Sequence, residues 1–252
     1  MQSKTKYMPC CVVTDVIRHV FKKIIRMNKQ IFTLLLLIAF NSNLFTQAAY
    51  LEKGQSGSSI GARYSSNKDI SGITVGGSYS AYGITEIGIS AGRFYFEKKL
   101  AEHDLSVFLI SPFIAIHAVK QDSVTPISVS LSSSFITHSY SSAALSQLKL
   151  SMSDIIFTFG GSIYRNTTLS PTTKLQPSIG VSYVTGNSEL KDNYGNSVSI
   201  ENDATIFNVG FSLLFQTGPT LIFRISPGLV FDKDNKTFAI SAGIIYGISN
   251  LY

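Results

Sequence analysis

The sequence predicts an all-β protein, a closed, antiparallel, up-and-down transmembrane β-barrel of about ten strands, with eight as the alternative. Three observations carry this reading. From residue 58 onward large apolar residues alternate with small or polar ones, and successive side chains of a strand point to opposite faces. Several alternating runs reach ten residues or more, where an ordinary strand has about five or six and a tilted membrane strand needs about 9–11. Charge is scarce, 14% of residues against 44% hydrophobic, where a soluble domain carries about 25%.

The chain opens differently. Ile31 to Phe40, IFTLLLLIAF, is its long apolar run, and it is too short for a membrane helix of about 20 residues. Met27-Asn28-Lys29 precedes it as a short positive start, and a polar stretch ending in Thr46-Gln47-Ala48 follows as a small-x-small cleavage site. The expectation is a secretory signal peptide over 27–48, cut after Ala48. Residues 1–26 read as a basic leader or as sequence upstream of a true start at Met27. A short segment, 49–57, then leads into the barrel, 58–252.

This division removes the basic character. Lys4, Lys6, Arg18, Lys22, Lys23, Arg26 and Lys29 precede the cleavage site, with Asp15 the single acid among them. Of 21 basic and 15 acidic residues, fourteen of each remain beyond it, so the formal charge of +6 belongs to the leader. Nothing points to nucleic acid. Cys10 and Cys11, the two cysteines, also lie in the leader. The mature chain is left without a disulfide framework, a cysteine metal site or a lipid-anchor cysteine.

Ten strands are expected near 58–66, 70–80, 84–95, 104–119, 126–136, 152–164, 173–185, 204–216, 220–232 and 237–249. Thr205 to Phe215 shows the pattern: Phe207, Val209, Phe211, Leu213 and Phe215 on one face, Asn208, Gly210 and Ser212 on the other. A solvated face would carry Lys and Glu; small residues suit the inside of a narrow barrel. Even-numbered connections such as Ala81-Tyr82-Gly83 and Thr217-Gly218-Pro219 are short. Thr137 to Ser151 and Gly186 to Asp203 read as long loops on the opposite side. Short periplasmic turns and long outer loops are the barrel arrangement. With no spanning helix, closure is the way to satisfy the backbone in a bilayer and to remove sheet edges.

The C-terminus carries a resemblance. Ile244, Tyr246, Ile248 and the terminal Tyr252 form an alternating strand closed by an aromatic. In this the chain resembles the small OmpA/OmpX-type bacterial outer membrane β-barrel domains. It departs from them at Asn250, and in ending on Tyr rather than the commoner Phe. The resemblance covers about residues 58–252 and is one of architecture. It implies location in the outer membrane, contact with its lipid, delivery by the barrel-assembly machinery through the last strand, and a monomer. Trp is absent, and Tyr64, Tyr79, Tyr183, Tyr246 and Tyr252 near strand ends would form the interfacial bands.

Chemistry is sparse. His103, His117 and His138 are the histidines left after export. His138-Ser139 is the nearest approach to the serine–histidine pair of a lipid-modifying barrel enzyme, but no acid stands beside it in sequence, and no catalysis is expected. Glu97, Glu102, His103 and Asp104 read as a solvated loop rather than a metal site. Asp232 to Lys236 includes two lysines that would repel calcium. Gly76-Gly77 and Gly160-Gly161 lie in strands and are packing points, not phosphate loops. No cofactor and no metal are expected.

The inward face is expected to hold a polar cluster of Glu86, Lys174, Arg224 and His117, read as a salt-bridged plug in preference to a pore lining. Strand four needs a device to contribute His117. If Leu105, Val107 and Leu109 face lipid, unbroken alternation puts His117 on lipid too, which is unfavourable. A β-bulge at Ser111-Pro112 would turn it inward. The function expected is a structural or narrow-channel barrel with interacting surface loops. A secreted soluble carrier of an apolar ligand is the alternative, and a lipid-modifying enzyme the second.

Overall fold

The computed structural model describes residues 51, 54–100, 102–218, 220–232 and 236–249. The leader expected over 1–26, the signal peptide expected over 27–48 and Tyr252 lie outside them. Eleven strands are present: β1 (Gln55–Ser66), β2 (Ile70–Ala81), β3 (Thr85–Phe96), β4 (Ser106–Val119), β5 (Ser128–Ser141), β6 (Leu150–Tyr164), β7 (Thr167–Ser170), β8 (Thr173–Asp192), β9 (Ser197–Gln216), β10 (Leu221–Phe231) and β11 (Lys236–Ser249). Among the described residues one short helix, α1 (Ala143–Gln147), sits between β5 and β6.

Ten of these strands close the barrel. Each pairs antiparallel with its neighbour in sequence, β6 pairs directly with β8, and β1 pairs with β11 from Gln55↔Ser249 to Ser66↔Phe238. The four-residue β7 folds back on the start of β8 and stands outside the ring. The stagger follows from the ladders. From Ala62 one route runs through Val75, Ala91, Ile110, Thr137 and Ile155 to Asn187 on β8. The other runs through Ala242, Ile225 and Leu213 to Leu175 on the same strand, twelve residues away. Ten strands at that shear lean about 40° from the barrel axis.

The outside is apolar. Ile60, Ile89, Phe157, Phe159, Ile179 and Phe211 are among the large hydrophobic side chains exposed there. A soluble carrier would reverse this, apolar inside and polar outside, so that alternative fails. The inside holds small and hydroxyl residues, with three cross-strand serine pairs, Ser59–Ser78, Ser130–Ser162 and Ser212–Ser226, at 2.7–2.8 Å. Glycine makes room for such neighbours. A Cβ at Gly160 would stand 1.7 Å from Ser182 Oγ.

Strand four differs from expectation. Pairing runs through Ser111↔Ser90 and Pro112↔Ile89 without a break, and β5 keeps one register from Ser106 to Ile116. There is no bulge at Ser111-Pro112; the irregularity falls between Ile116 and Val119. His117 is nevertheless buried, because Leu105, Val107 and Leu109 are buried with it, while Phe108, Ile110, Ile114 and Ile116 are exposed. The physical reason is that the lumen is itself apolar at the end opposite the chain termini. An alternation with hydrophobic residues on both faces therefore has the opposite phase to the one assumed.

The two connections expected to be long loops also differ. β5 continues to Ser141 before α1, and β8 and β9 extend to Asp192 and from Ser197, twenty residues each. That is about twice a membrane span, so the β8–β9 hairpin rises past the lipid. At its turn Asp192 accepts hydrogen bonds from the Asn196 side chain and from the backbone N–H groups of Tyr194 and Asn196. These bonds, the Asn196 side chain first, hold the exposed carboxyl below its ordinary value.

Candidate functional site

The interior is layered along the barrel axis. At the far end, opposite the termini, Phe94, Val107, Leu109, Ile136, Ile156 and Ile206 pack into one buried cluster. They come from β3, β4, β5, β6 and β9, so side chains from facing walls meet across the bore. Leu100 of the β3–β4 connection and Ala144 and Leu145 of α1 join the same cluster and cap it. This layer is packed as a hydrophobic core.

Within it sits a group that the sequence did not bring together. His138 and Asp154 are opposite each other on β5 and β6, with Nδ1 3.4 Å from Oδ2, and both side chains are fully buried. The Tyr140 hydroxyl donates to the same Asp154 oxygen. An acid therefore does stand beside His138, sixteen positions along the chain and across one ladder. Ser139, however, is exposed on the outer face, since adjacent strand residues point apart. The serine–histidine pair is not assembled.

Charge is also buried on the inner face of the barrel. Glu86 is 0% exposed, Arg224 3% and Arg63 2%. Glu86 and Arg224 are each engaged in an interaction. Arg63, not singled out by the sequence reading, is buried beside them on β1. The signal was present: Arg63 shares its face with Ser59, Gly61 and Ser65, opposite Ile60, Ala62 and Tyr64.

Toward the chain termini the lumen opens into a cleft of about 720 Å³, lined by His117, Lys120, Gln121, Asn166 and Lys174 among others. His117 Nδ1 lies 2.7 Å from the Tyr164 hydroxyl. Gln121 Nε2 donates to the Asn166 carbonyl, and its Oε1 accepts from the Asn166 N–H. That reciprocal pair, with Gln176 Nε2 donating to Asn166 Oδ1, ties the turns of this end together. Of the expected polar cluster, His117 and Lys174 line the cleft, Lys174 only half-buried, and Glu86 and Arg224 are buried in the wall.

The remaining candidates do not form sites. Asp104 is bound by Lys99 at 3.5 Å. Among the described residues no three His, Cys, Asp or Glu side chains converge to hold a metal ion. Ile244 and Tyr246 of the terminal strand face outward; the side chain of Ile248 and all of Tyr252 lie outside what is described.

No family model and no curated protein sequence matches the chain. Solved structures do. The translocator domain of autotransporter NalP from Neisseria meningitidis aligns over 95% of this chain and 99% of that one, at TM-score 0.52 and 12% identity. The outer membrane protease OmpT from Escherichia coli aligns over 77% and 94%, at TM-score 0.41 and 8% identity. Neisserial surface protein A aligns over 77% and 96%, at TM-score 0.34 and 10% identity. With its sheet closed by β1 and β11 and its exterior apolar, the chain has the fold of a closed antiparallel ten-strand β-barrel, similar to that translocator domain.

Proposed function

We propose that this protein is a non-catalytic, closed barrel of the bacterial outer membrane, which serves as a structural wall element and displays its far-end hairpins to interacting partners. The observation that supports it is the apolar layer across the bore, with Phe94, Val107, Leu109, Ile136, Ile156 and Ile206 in one cluster. Ions crossing there would have to displace a packed core, which is costly in proportion to the apolar surface opened. Ser139 points outward while His138 is buried inside, an arrangement that favours the non-catalytic reading over a serine–histidine enzyme at this position. The barrel acts as a monomer and is delivered by the assembly machinery through β11, whose outward Ile244 and Tyr246 follow the alternating pattern.

Conductance in a planar lipid bilayer tests the proposal. The purified protein should insert and show no steady single-channel current. A stable conducting level would overturn the closed reading in favour of a narrow pore. Leu109→Gly with Ile136→Gly, which thins the apolar layer, should then admit current where the wild type does not.

A further inference from the structure

Arg93 stands exposed on the outer face of β3, in a row of apolar side chains. Ile87 and Ile89 precede it on that face and Tyr95 follows. Its ladder partners are Ile73 on β2 and Phe108 on β4, both exposed to the outside. A charge facing hydrocarbon is costly, so an arginine there extends its stem toward the interface. The Arg93 guanidinium does so. Its Nη2 donates to the Ser106 hydroxyl at 3.1 Å, and its Cζ lies 5.5 Å from the centre of the Tyr95 ring. Tyr95 and Ser106 are paired across the β3–β4 ladder, two residues farther from the chain termini than Arg93.

The stagger of the sheet sets the height of this corner. Each ladder step from β9 toward β3 climbs about one residue away from the termini. From Val209 the ladder runs through Leu229, Phe238, Ser66 and Ser71 to Tyr95. Val209 is itself two residues farther out than Phe211, the centre of the apolar row Phe207 to Phe215. Tyr95 therefore stands about eight residues, or about 20 Å along the barrel axis, beyond Phe211. The hydrocarbon core reaches about 15 Å from its midplane, so the guanidinium is at headgroup level. No acid answers its charge. Arg93 forms no ion pair among the described residues: Asp69 is held by Lys98, Asp104 by Lys99, and Glu97, next on that face of β3, does not reach it.

We propose that this corner binds the phosphate of an anionic lipid in the leaflet opposite the chain termini. Ser106 and Tyr95 fix the plane of the guanidinium, and its remaining N–H donors present the fork that phosphate oxygens fit. The acyl chains run past Ile73 and Phe108 toward Val75 and Ile110, which are exposed on the same wall nearer the midplane. That apolar surround selects a lipid over free phosphate, because the anion then arrives with the chains that cover it. The inference rests on the membrane placement of the barrel.

Native mass spectrometry of the mature chain in neutral detergent, titrated with phosphatidylglycerol or with phosphatidylcholine, provides the test. The wild type should retain the anionic lipid about fivefold better, the preference expected of one basic residue at an anionic surface. Arg93→Gln should bring the two lipids level. Arg93→Lys, which keeps the charge but loses the fork, should keep part of the preference. Lys236→Gln, an exposed cation at the same end of β11, should leave it unchanged. Equal retention of the two lipids by the wild type would overturn the proposal, and so would an equal loss in Lys236→Gln. Displacement of phosphatidylglycerol by excess inorganic phosphate would overturn the assignment to lipid. Insertion into vesicles is scored separately: a wild type that inserts without the preference refutes this site alone, and one that does not insert refutes the membrane placement.

Discussion

Phe211→Arg places a charge where the structure puts the middle of the bilayer. On β9 the outward apolar residues run from Phe207 through Val209, Phe211 and Leu213 to Phe215. Those eight steps cover about 26 Å along the strand at ~3.3 Å per residue, and about 20 Å along the barrel axis at a tilt near 40°. That approaches the apolar band of about 25 Å expected of such barrels. Phe211 is at its centre, about 10 Å from either edge by the same rise and tilt. An arginine at the midplane costs about 2–4 kcal/mol and one near the interface about 0–1 kcal/mol. The control is Val198→Arg, on the same strand and also exposed, but in the part of the hairpin that rises past the lipid. Equilibrium unfolding in phospholipid vesicles should show Phe211→Arg lowering the folded-to-unfolded ratio by roughly 30- to 700-fold, at about 1.4 kcal/mol per tenfold. Val198→Arg should stay within about fivefold on the same scale. Equal costs for the two variants would mean that the belt assignment is wrong, and with it the membrane placement of the barrel.

Three further outcomes follow from the interior and the hairpin. Tyr140→Phe removes the hydroxyl that donates to buried Asp154 and should cost about 1–3 kcal/mol, measured in the same vesicle titration, with no change in outward-facing label mobility. Gly160→Ala drives a Cβ into Ser182 Oγ at 1.7 Å and should destabilise by about 1–3 kcal/mol. Adding Ser182→Gly should recover part of that loss, and a failure of rescue would place the crowding elsewhere. Asp192 has its folded value below the ordinary one, so its contribution is present above the ordinary carboxyl range, near pH 4, and is lost as pH falls through the lower folded value. The protection factors of the Tyr194 and Asn196 amides, corrected for the intrinsic pH dependence of exchange, should therefore fall on acidification, and Asp192→Asn should flatten that response.

The barrel was legible in the sequence because closure in a bilayer leaves few choices. A two-residue period, large apolar residues on one face and Gly or Ser on the other, suffices to say which face meets lipid over most of β8 to β11. Turn signals at Ala81-Tyr82-Gly83 and Thr217-Gly218-Pro219 then number the strands. The upper β8–β9 hairpin was not legible. Above the lipid neither face need be apolar, so Gly186 to Asp203 shows no hydrophobic period and reads as a loop.

Strand β4 shows what alternation alone leaves open. Leu105, Val107 and Leu109 are as apolar as Phe108, Ile110 and Ile114, and local sequence cannot say which set meets lipid. The choice is made by the other walls, because Phe94, Ile136, Ile156 and Ile206 build an apolar layer inside the bore and draw the first set into it. The same applies to the charged interior. Sequence placed Arg224 and Glu86 on the small-residue face, since a lipid-facing charge is costly. Setting Asp154 against His138 required the β5–β6 register, and closing β1 on β11 required the shear of the whole sheet. Period and composition act within one strand and determined the barrel; register and shear are properties of the whole ring, and the tertiary structure alone decided what meets inside it.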